Sequence, residues 1–202
     1  MRPITQLARS FVRLEVDIWV SLARAVSRRP DTEGGTPIRY AGAVSAVIWA
    51  FIVVSAVEIP AVHLIIPWPA VRIVALGLGV WGLVWMAGML AAHHVYPHVL
   101  TGELLRVRYL RRVGLDIPLA DIEAIRHELR PYDGAKSLQL TGTGDETLAV
   151  IVGNSTNVRV VLTEPATFRT PHGDFTVSAI AFWADDPRGA LAQIRAAMVD
   201  RV

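Results

Sequence analysis

Two long apolar stretches dominate the first half of the chain, and a short proline-rich turn separates them. The first stretch, Ala41–Val57, is closed by Glu58 and Pro60. The second stretch, Ile73–Ala92, contains no charged residue. About 20 apolar residues in a helix cover the roughly 30 Å hydrocarbon core of a bilayer. The pattern therefore predicts a transmembrane helical hairpin, which occupies residues 38–97 with its connections.

Small residues recur at helical spacing along both stretches. They are Gly42, Ala46, Ala50, Ala75, Gly79 and Gly82. In lipid, small residues at this spacing let two helix backbones approach closely. We expect them to pack the hairpin or to support self-association, although small residues are common in any membrane helix.

Residues 1–37 have the pattern of an amphipathic helix followed by a polar linker that begins at Pro30. The apolar positions at helical spacing are Ile4, Leu7, Phe11, Leu14, Ile18 and Leu22. Arginines track another face of the same helix. A basic face beside a broad apolar face favours a helix that lies in the headgroup region of a membrane. The alternative is a helix packed on the protein's own soluble domain.

Residues 98–202 have a different sequence pattern, in which short segments rich in β-branched residues are separated by turns. The predicted strands are Leu104–Leu110, Leu115–Pro118, Ile122–Leu129, Ser137–Leu140, Thr147–Val152, Asn157–Leu162 and Phe175–Ala184. A final helix begins with Asp186 as N-cap and Pro187, and it carries one apolar stripe, Leu191, Ile194 and Met198. The fold class predicted here is a membrane α-helical hairpin plus an α+β domain, a seven-stranded barrel or sandwich capped by one helix.

The charge distribution sets the orientation and narrows the partners. Residues 1–40 carry seven arginines against four acids, whereas residues 98–202 carry 12 bases against 13 acids. A nearly neutral domain argues against nucleic acid as a partner. Arginines flank both spans and only Arg72 lies in the turn, so the positive-inside rule places both termini in the cytoplasm. The absence of cysteine excludes disulfides and thiolate chemistry.

Segments of the C-terminal half match a known pattern. Leu100–Arg108 (LTGELLRVR), Gly114–Asp121 (GLDIPLAD) and Phe182–Pro187 (FWADDP) resemble segments of bacterial membrane-anchored pleckstrin-homology-like (PH-like) domain proteins. The resemblance covers residues 98–202 and the general layout of a preceding two-helix hairpin. It implies a PH-like domain at the cytoplasmic face of a bacterial inner membrane, and it implies no particular reaction.

Three ionisable residues lie in or near the turn between the spans, namely Glu58, His63 and Arg72. Ionisable groups at membrane depth are rare and are functional by default. The pattern favours a polar clasp that fixes the turn. The alternatives are solvation at the outer surface, or handling of protons or cations.

Three histidines, His93, His94 and His98, follow the second span. Neutral imidazole is a good ligand for several transition metals. However, Pro97 is expected to break the helix between His94 and His98. They are therefore weak metal candidates, and histidines near anionic headgroups are the simpler interpretation.

Four arginines, Arg106, Arg108, Arg111 and Arg112, occupy the first predicted strand and its turn. In lipid-binding members of the PH fold, basic residues of this region hold phosphates, which the resemblance carries over only in part. Generic attraction to anionic lipid or plain solvated charge are the alternatives.

We recognise no nucleophile elbow, zinc-protease motif or phosphate-binding loop in the chain. The pattern therefore favours a non-enzymatic membrane-anchored module, without a cofactor, that docks on lipid or on a protein partner or a second copy. An accessory subunit or small transporter component that uses Glu58, His63 and Arg72 is the second interpretation. A metal protein or enzyme that uses the histidines is the third.

The orientation is testable with reporter fusions placed after residues 35 and 64. A reporter that is active only in the cytoplasm should work at residue 35 and fail at residue 64, because the arginines flank the hairpin and not its turn. An active cytoplasmic reporter at residue 64 would overturn the orientation.

Overall fold

The computed structural model describes residues 4–134, 136–142 and 146–199, and in the N-terminal helix it describes side chains from Val12 onward. The chain forms two compact units. The membrane unit contains the described residues up to Arg29 together with Val44–Val95. The sheet unit contains Pro30–Ala43 and the described residues from Tyr96 onward.

Three helices begin the chain: α1 (Ile4–Val26), α2 (Gly42–Ile65) and α3 (Pro69–Val95). Among the described residues, α2 and α3 are the two helices long and apolar enough to cross a membrane. Their apolar side chains point outward in every direction for most of their length, as expected for helices surrounded by lipid. The helical hairpin predicted from the sequence is thus present.

The prediction that Glu58 and Pro60 close the first span is wrong, because α2 continues through Pro60 to Ile65. A proline inside a helix removes one backbone N–H donor. In an apolar setting the remaining backbone groups are satisfied only within the helix, which favours its continuation. The helix therefore reaches the turn with Glu58 and His63 both on it.

The predicted close approach of the two spans occurs at Gly79. A Cβ atom built on Gly79 would lie only 2.8 Å from Cγ1 of Ile59 on α2. Any side chain at this position would push the helices apart, so the small residue sets their separation.

Helix α1 packs against α3 within the membrane unit, which is neither of the two environments expected from the sequence. Of the predicted apolar face, Ile18 is buried, Leu22 is half-buried and Leu14 is exposed. The side chains of Ile4, Leu7 and Phe11 lie outside the described part of the chain.

Among the described residues of the sheet unit, nine strands form two sheets. The first sheet has the order β1-β2-β3-β4, from Thr36–Ile38, His98–Leu100, Leu104–Tyr109 and Val113–Pro118. The second has the order β5-β8-β9-β7-β6, from Ile122–Pro131, Leu138–Thr141 (β6), Thr147–Val150 (β7), Ser155–Thr170 (β8) and Gly173–Phe182 (β9). All pairs are antiparallel except β7 with β9, which is parallel.

Each of the seven predicted strands corresponds to one of β3 to β9, but the sequence pattern missed β1 and β2. It also ended β8 too early, since that strand runs on to Thr170 and pairs along its length with β9. The two sheets are not closed into a barrel. They share one apolar core, to which Val107 of the first sheet and Val160 of the second both belong.

The C-terminal helix α4 (Pro187–Val199) packs on this core as predicted. Ile194 is fully buried, Leu191 is nearly so, and Met198 is partly buried. The Asp186 carboxylate accepts a hydrogen bond from the Gly189 amide at 2.9 Å, which confirms its role as N-cap.

The sheet unit is discontinuous in sequence, because β1 precedes the hairpin and β2 follows it. Thr36 pairs with Leu100 and Ile38 pairs with His98. Gly35 approaches β2 so closely that a Cβ atom would lie 2.6 Å from the Leu100 carbonyl oxygen. The segment predicted as a linker is therefore part of the sheet unit, and residues 98–202 are an incomplete domain.

This topology predicts that residues 98–202 alone are less stable than a fusion in which a short Gly-rich turn joins residues 30–40 to residues 97–202. The fusion restores β1 and buries Ile38, whose burial contributes about 2 kcal/mol. Thermal unfolding followed by circular dichroism should show the higher melting temperature for the fusion.

The matched control is the same fusion with Ile38→Asp, which should lose the gain because it places a charge in the core. Equal melting temperatures for the fusion and the shorter fragment would contradict the role of β1.

Candidate functional site

The arginines of β3 lie on the face of the strand opposite its core residues. Arg106 and Arg108 are two apart, so they share a face, while Leu105 and Val107 point into the core. Segment Pro30–Gly35 supplies acidic partners for both arginines. The structure therefore brings the predicted basic strand together with a segment that the sequence marked only as a linker.

Glu33 bridges the two arginines, with one carboxylate oxygen on each guanidinium. Arg106 also pairs with Asp116, its neighbour across the β3–β4 ladder, with 2.8 Å between Nη2 and Oδ2. Arg108 donates in addition to the main-chain oxygen of Asp31 at 2.8 Å. The guanidinium groups are thus held by charge-assisted hydrogen bonds, which are the stronger class.

Burial makes the Arg108 pair more consequential than the Arg106 pair. Arg108 is 7% exposed, whereas a quarter of the Arg106 side chain is accessible. The Glu33 side chain is 44% exposed and therefore partly screened by solvent, but loss of its carboxylate would leave the buried Arg108 charge with less compensation. Glu33 therefore fixes segment Pro30–Gly35 against β3.

A cleft of about 330 Å³ opens beside these ion pairs. Its lining combines three arginines with three acids, and the residues are Asp31, Glu33, Tyr96, Arg106, Arg108, Leu110, Arg111, Val113, Gly114 and Asp116. Since the formal charges balance, the cleft itself has no large excess of either sign.

The four arginines predicted to face lipid fall into two pairs. Arg106 and Arg108 on β3 are paired with acids and are buried or partly buried, and Arg111 and Arg112 are exposed in the turn between β3 and β4. Their contact with lipid stays a prediction. The exposed arginines of this region are therefore those of the turn.

His98 is fully buried between the first sheet and the strand that ends in Phe182. Its Nδ1 accepts the Arg108 backbone N–H at 2.9 Å, so Nε2 carries the proton and donates to the Trp183 carbonyl at 2.9 Å. The Tyr40 ring stacks on the imidazole with 4.7 Å between centroids. Burial lowers the pKa of His98 to about 4, which keeps the ring neutral.

Both ring nitrogens of His98 are therefore occupied by the backbone, which leaves neither for a metal ion. His93 donates from Nδ1 to the Met89 carbonyl at 2.9 Å, and His94 Nε2 lies 3.1 Å from the Ser45 hydroxyl. Within the described residues, no group of three His, Cys, Asp or Glu side chains is arranged to hold a metal ion. Each of these three histidines instead has a hydrogen-bond partner within the protein.

The turn residues Glu58, His63 and Arg72 do not form one cluster. Five residues on a continuous helix place Glu58 and His63 about 140° apart around the α2 axis. Arg72 donates from Nε and Nη2 to the Ile66 carbonyl, at 3.3 and 3.0 Å, and so closes the turn. The part of the chain that the structure describes shows no bond between Glu58 and His63, and their clasp stays a prediction.

Glu58 instead lines a groove of about 260 Å³ between α2 and α3, together with Ser55 and Gly79. The Nδ1 atom of His63 is buried and has no hydrogen-bond partner among the described residues. The two groups therefore have different surroundings.

Sequence reasoning missed the acids that complete the arginine cluster, Asp31, Glu33 and Asp116, and also Tyr40. The signal for Asp116 was available, because residues at mirrored positions of a β-hairpin pair across the strands. Nothing in a polar linker marks Glu33 as a partner of Arg106, which is 73 residues away.

Comparisons with protein families, curated proteins and solved structures gave no match to this chain.

The buried neutral His98 predicts a pH-dependent stability of the sheet unit. The unfolded state binds a proton below its ordinary pKa of 6.5, whereas the folded state binds it only near 4. Stability should therefore fall as the pH drops from 6.5 toward 4, by up to roughly 3 kcal/mol from this one group. His98→Gln keeps a donor and an acceptor but removes the titration.

Melting temperatures of the detergent-solubilised chain between pH 7 and 4.5 measure this effect. The decline should be shallower for His98→Gln than for the parent, while His127→Gln, which changes an exposed histidine on β5, should follow the parent. Parallel curves for His98→Gln and the parent would contradict the assignment.

Proposed function

We propose that this chain is a non-enzymatic, membrane-anchored module whose PH-like sheet domain docks on lipid or on a protein partner at the cytoplasmic face of a bacterial inner membrane. The observation that carries the proposal is the exposed Arg111–Arg112 turn beside the charged cleft, in a domain tethered to two apolar helices.

The anchor restricts the sheet domain to the neighbourhood of a membrane. Helices α2 and α3 have the length and composition of membrane spans, and Tyr96 follows α3 directly. A tethered domain meets the membrane surface at a high effective concentration, so weak individual contacts suffice for docking.

The PH-like assignment is supported by the order of the elements and by the segments that resemble that family. A strand-rich domain ends in one helix, α4, which packs on the core shared by both sheets. The open sheets and the parallel β7–β9 pair differ from a simple closed antiparallel barrel. The fold proposed is therefore a variant of the PH-like domain, in which the additional strand β1 comes from the segment that precedes the hairpin.

The turn between β3 and β4 is the part of the cleft region best suited to an anionic surface. Arg106 and Arg108 are compensated by Glu33, Asp31 and Asp116, so they add little net attraction. Exposed arginines near an anionic leaflet contribute about 1 kcal/mol each. Two neighbouring arginines thus give a modest, salt-sensitive attraction, which suits reversible docking.

A second candidate function is that of an accessory subunit or small transporter component that uses Glu58, His63 and Arg72. The observation in its favour is the position of Glu58 on the groove between α2 and α3, together with the buried Nδ1 of His63, for which the described part of the chain offers no hydrogen-bond partner. The absence of a bond between Glu58 and His63 in the described residues places this function second.

Charge removal in the turn tests the docking proposal. The full chain is placed in nanodiscs of phosphatidylcholine with or without phosphatidylglycerol, and amide hydrogen exchange is followed over residues 109–114. Anionic lipid should slow exchange in the parent, and Arg111→Gln with Arg112→Gln should remove about 2 kcal/mol of that protection.

The matched control removes two exposed arginines elsewhere in the domain, Arg126→Gln with Arg188→Gln. It should keep the response to anionic lipid. Exchange that is insensitive to lipid charge in the parent would exclude lipid docking through this turn and leave the protein partner.

A further inference from the structure

A carboxylate on α1 is surrounded by three tryptophans of the membrane unit. Oε1 of Glu15 accepts hydrogen bonds from the indole N–H groups of Trp19 at 3.3 Å and Trp81 at 3.1 Å. Oε2 accepts one from Trp85 at 2.8 Å. Trp19 lies one turn further along α1, and Trp81 and Trp85 lie one turn apart on α3, so all three donors converge on one side chain.

The contacts fix the direction of α1 relative to α3. Glu15 meets Trp81 and Trp85, and Ile18 meets Gly88, where a Cβ atom would lie 2.4 Å from Cγ2 of Ile18. Residue numbers thus increase in the same direction along α1 and α3, so the two helices are parallel. Docked in this way, α1 runs along α3.

The cluster lies deep along α3, where the hydrogen bonds from the three indoles offset the cost of placing a carboxylate. Trp81 and Trp85 lie about 18 and 24 Å along α3 from Pro69, at 1.5 Å per residue, which is well inside the span. A carboxylate at such a depth is expensive unless it has partners. Within a span, an indole N–H likewise needs an acceptor, because lipid provides none. Each group therefore satisfies the other.

The sequence pattern and the structure place α1 in two mutually exclusive environments. Its amphipathic pattern suits the membrane surface, whereas the structure has it docked along α3. A helix that lies flat in the headgroup region cannot at the same time run along a span. The two arrangements differ in whether the Glu15 carboxylate meets the indoles.

We propose that Glu15 is the docking residue of the N-terminal helix, and that the indole N–H groups of Trp81 and Trp85 are the donors on α3 that its carboxylate binds. Loss of the carboxylate charge releases α1 to the membrane surface. Small residues and apolar packing, as at Gly88 and Ile18, complete the contact, but the ionic hydrogen bonds select the docked arrangement.

Spin labels measure the docking, and the absence of cysteine from the chain makes labelling specific. Val16→Cys and Val74→Cys place labels on exposed positions of α1 and α3. The parallel contacts put these positions about 20 Å apart, from the helix rise and the usual distance between packed helices. Double electron–electron resonance on the full chain in nanodiscs should show this distance.

Glu15→Gln keeps the size of the side chain and removes its charge. Hydrogen bonds to charged groups are stronger than neutral ones by about 1 kcal/mol, so the ratio of the 20 Å population to the released population should fall roughly fivefold. Trp85→Phe removes the shortest donor but keeps an aromatic ring, and it should act in the same direction. Glu58→Gln, the same change on α2, should leave the distance unaltered.

A retained 20 Å population in both Glu15→Gln and Trp85→Phe would overturn the proposal and assign docking to Ile18 and Gly88 alone. A parent chain that lacks the 20 Å population would overturn it as well, since α1 would then lie away from α3. Circular dichroism of each variant establishes that the helices and sheets are intact.

Discussion

The pairing of β1 with β2 is the constraint on which the sheet unit depends. These strands are three residues each, yet they join two parts of the chain that the entire hairpin separates. The pairing brings segment Pro30–Gly35 to the arginines of β3, and it brings Tyr40 onto the ring of His98. Without this pairing, Arg108 would lose the Glu33 carboxylate that compensates its charge, and His98 would lose the Tyr40 ring that stacks on it.

Arg108 connects the two buried polar groups of this region. Its backbone N–H donates to Nδ1 of His98, while its guanidinium binds Glu33 and the Asp31 carbonyl. Polar networks in a core are unfavourable when half satisfied and specific when complete. Here the backbone of one strand residue fixes the tautomer of the histidine, and its side chain holds the incoming segment, so one register of β1 to β3 satisfies both.

Local patterns predicted much of the fold, and long-range contacts account for what they missed. Uninterrupted apolar stretches predicted the two long apolar helices, and short β-branched segments such as Leu115–Pro118 predicted the strands, although β4 begins earlier, at Val113. Strand β1 has the sequence TPI, which contains a proline and is too short to show alternation. Pro60 suggested a helix end, yet an apolar environment retained the helix.

Only the arginines of the candidate site were predicted from the sequence. The arginines of β3 were visible because their spacing places them on one face, but the acids that meet them come from across the hairpin. In the same way, Trp81 and Trp85 lie in the predicted second span, whereas Glu15 lies in the predicted amphipathic helix, 66 and 70 residues away. Partners that are distant in sequence leave no local signal.

Because the first sheet combines strands from both sides of the hairpin, the order of synthesis limits when this sheet can form. Ile38 leaves the ribosome 60 residues before His98, the residue with which it pairs. The first sheet therefore stays incomplete until both helices of the hairpin have been synthesised and β2 has paired with β1. A chain in which the two strands fail to meet presents an unpaired β2 edge, which favours association with other chains.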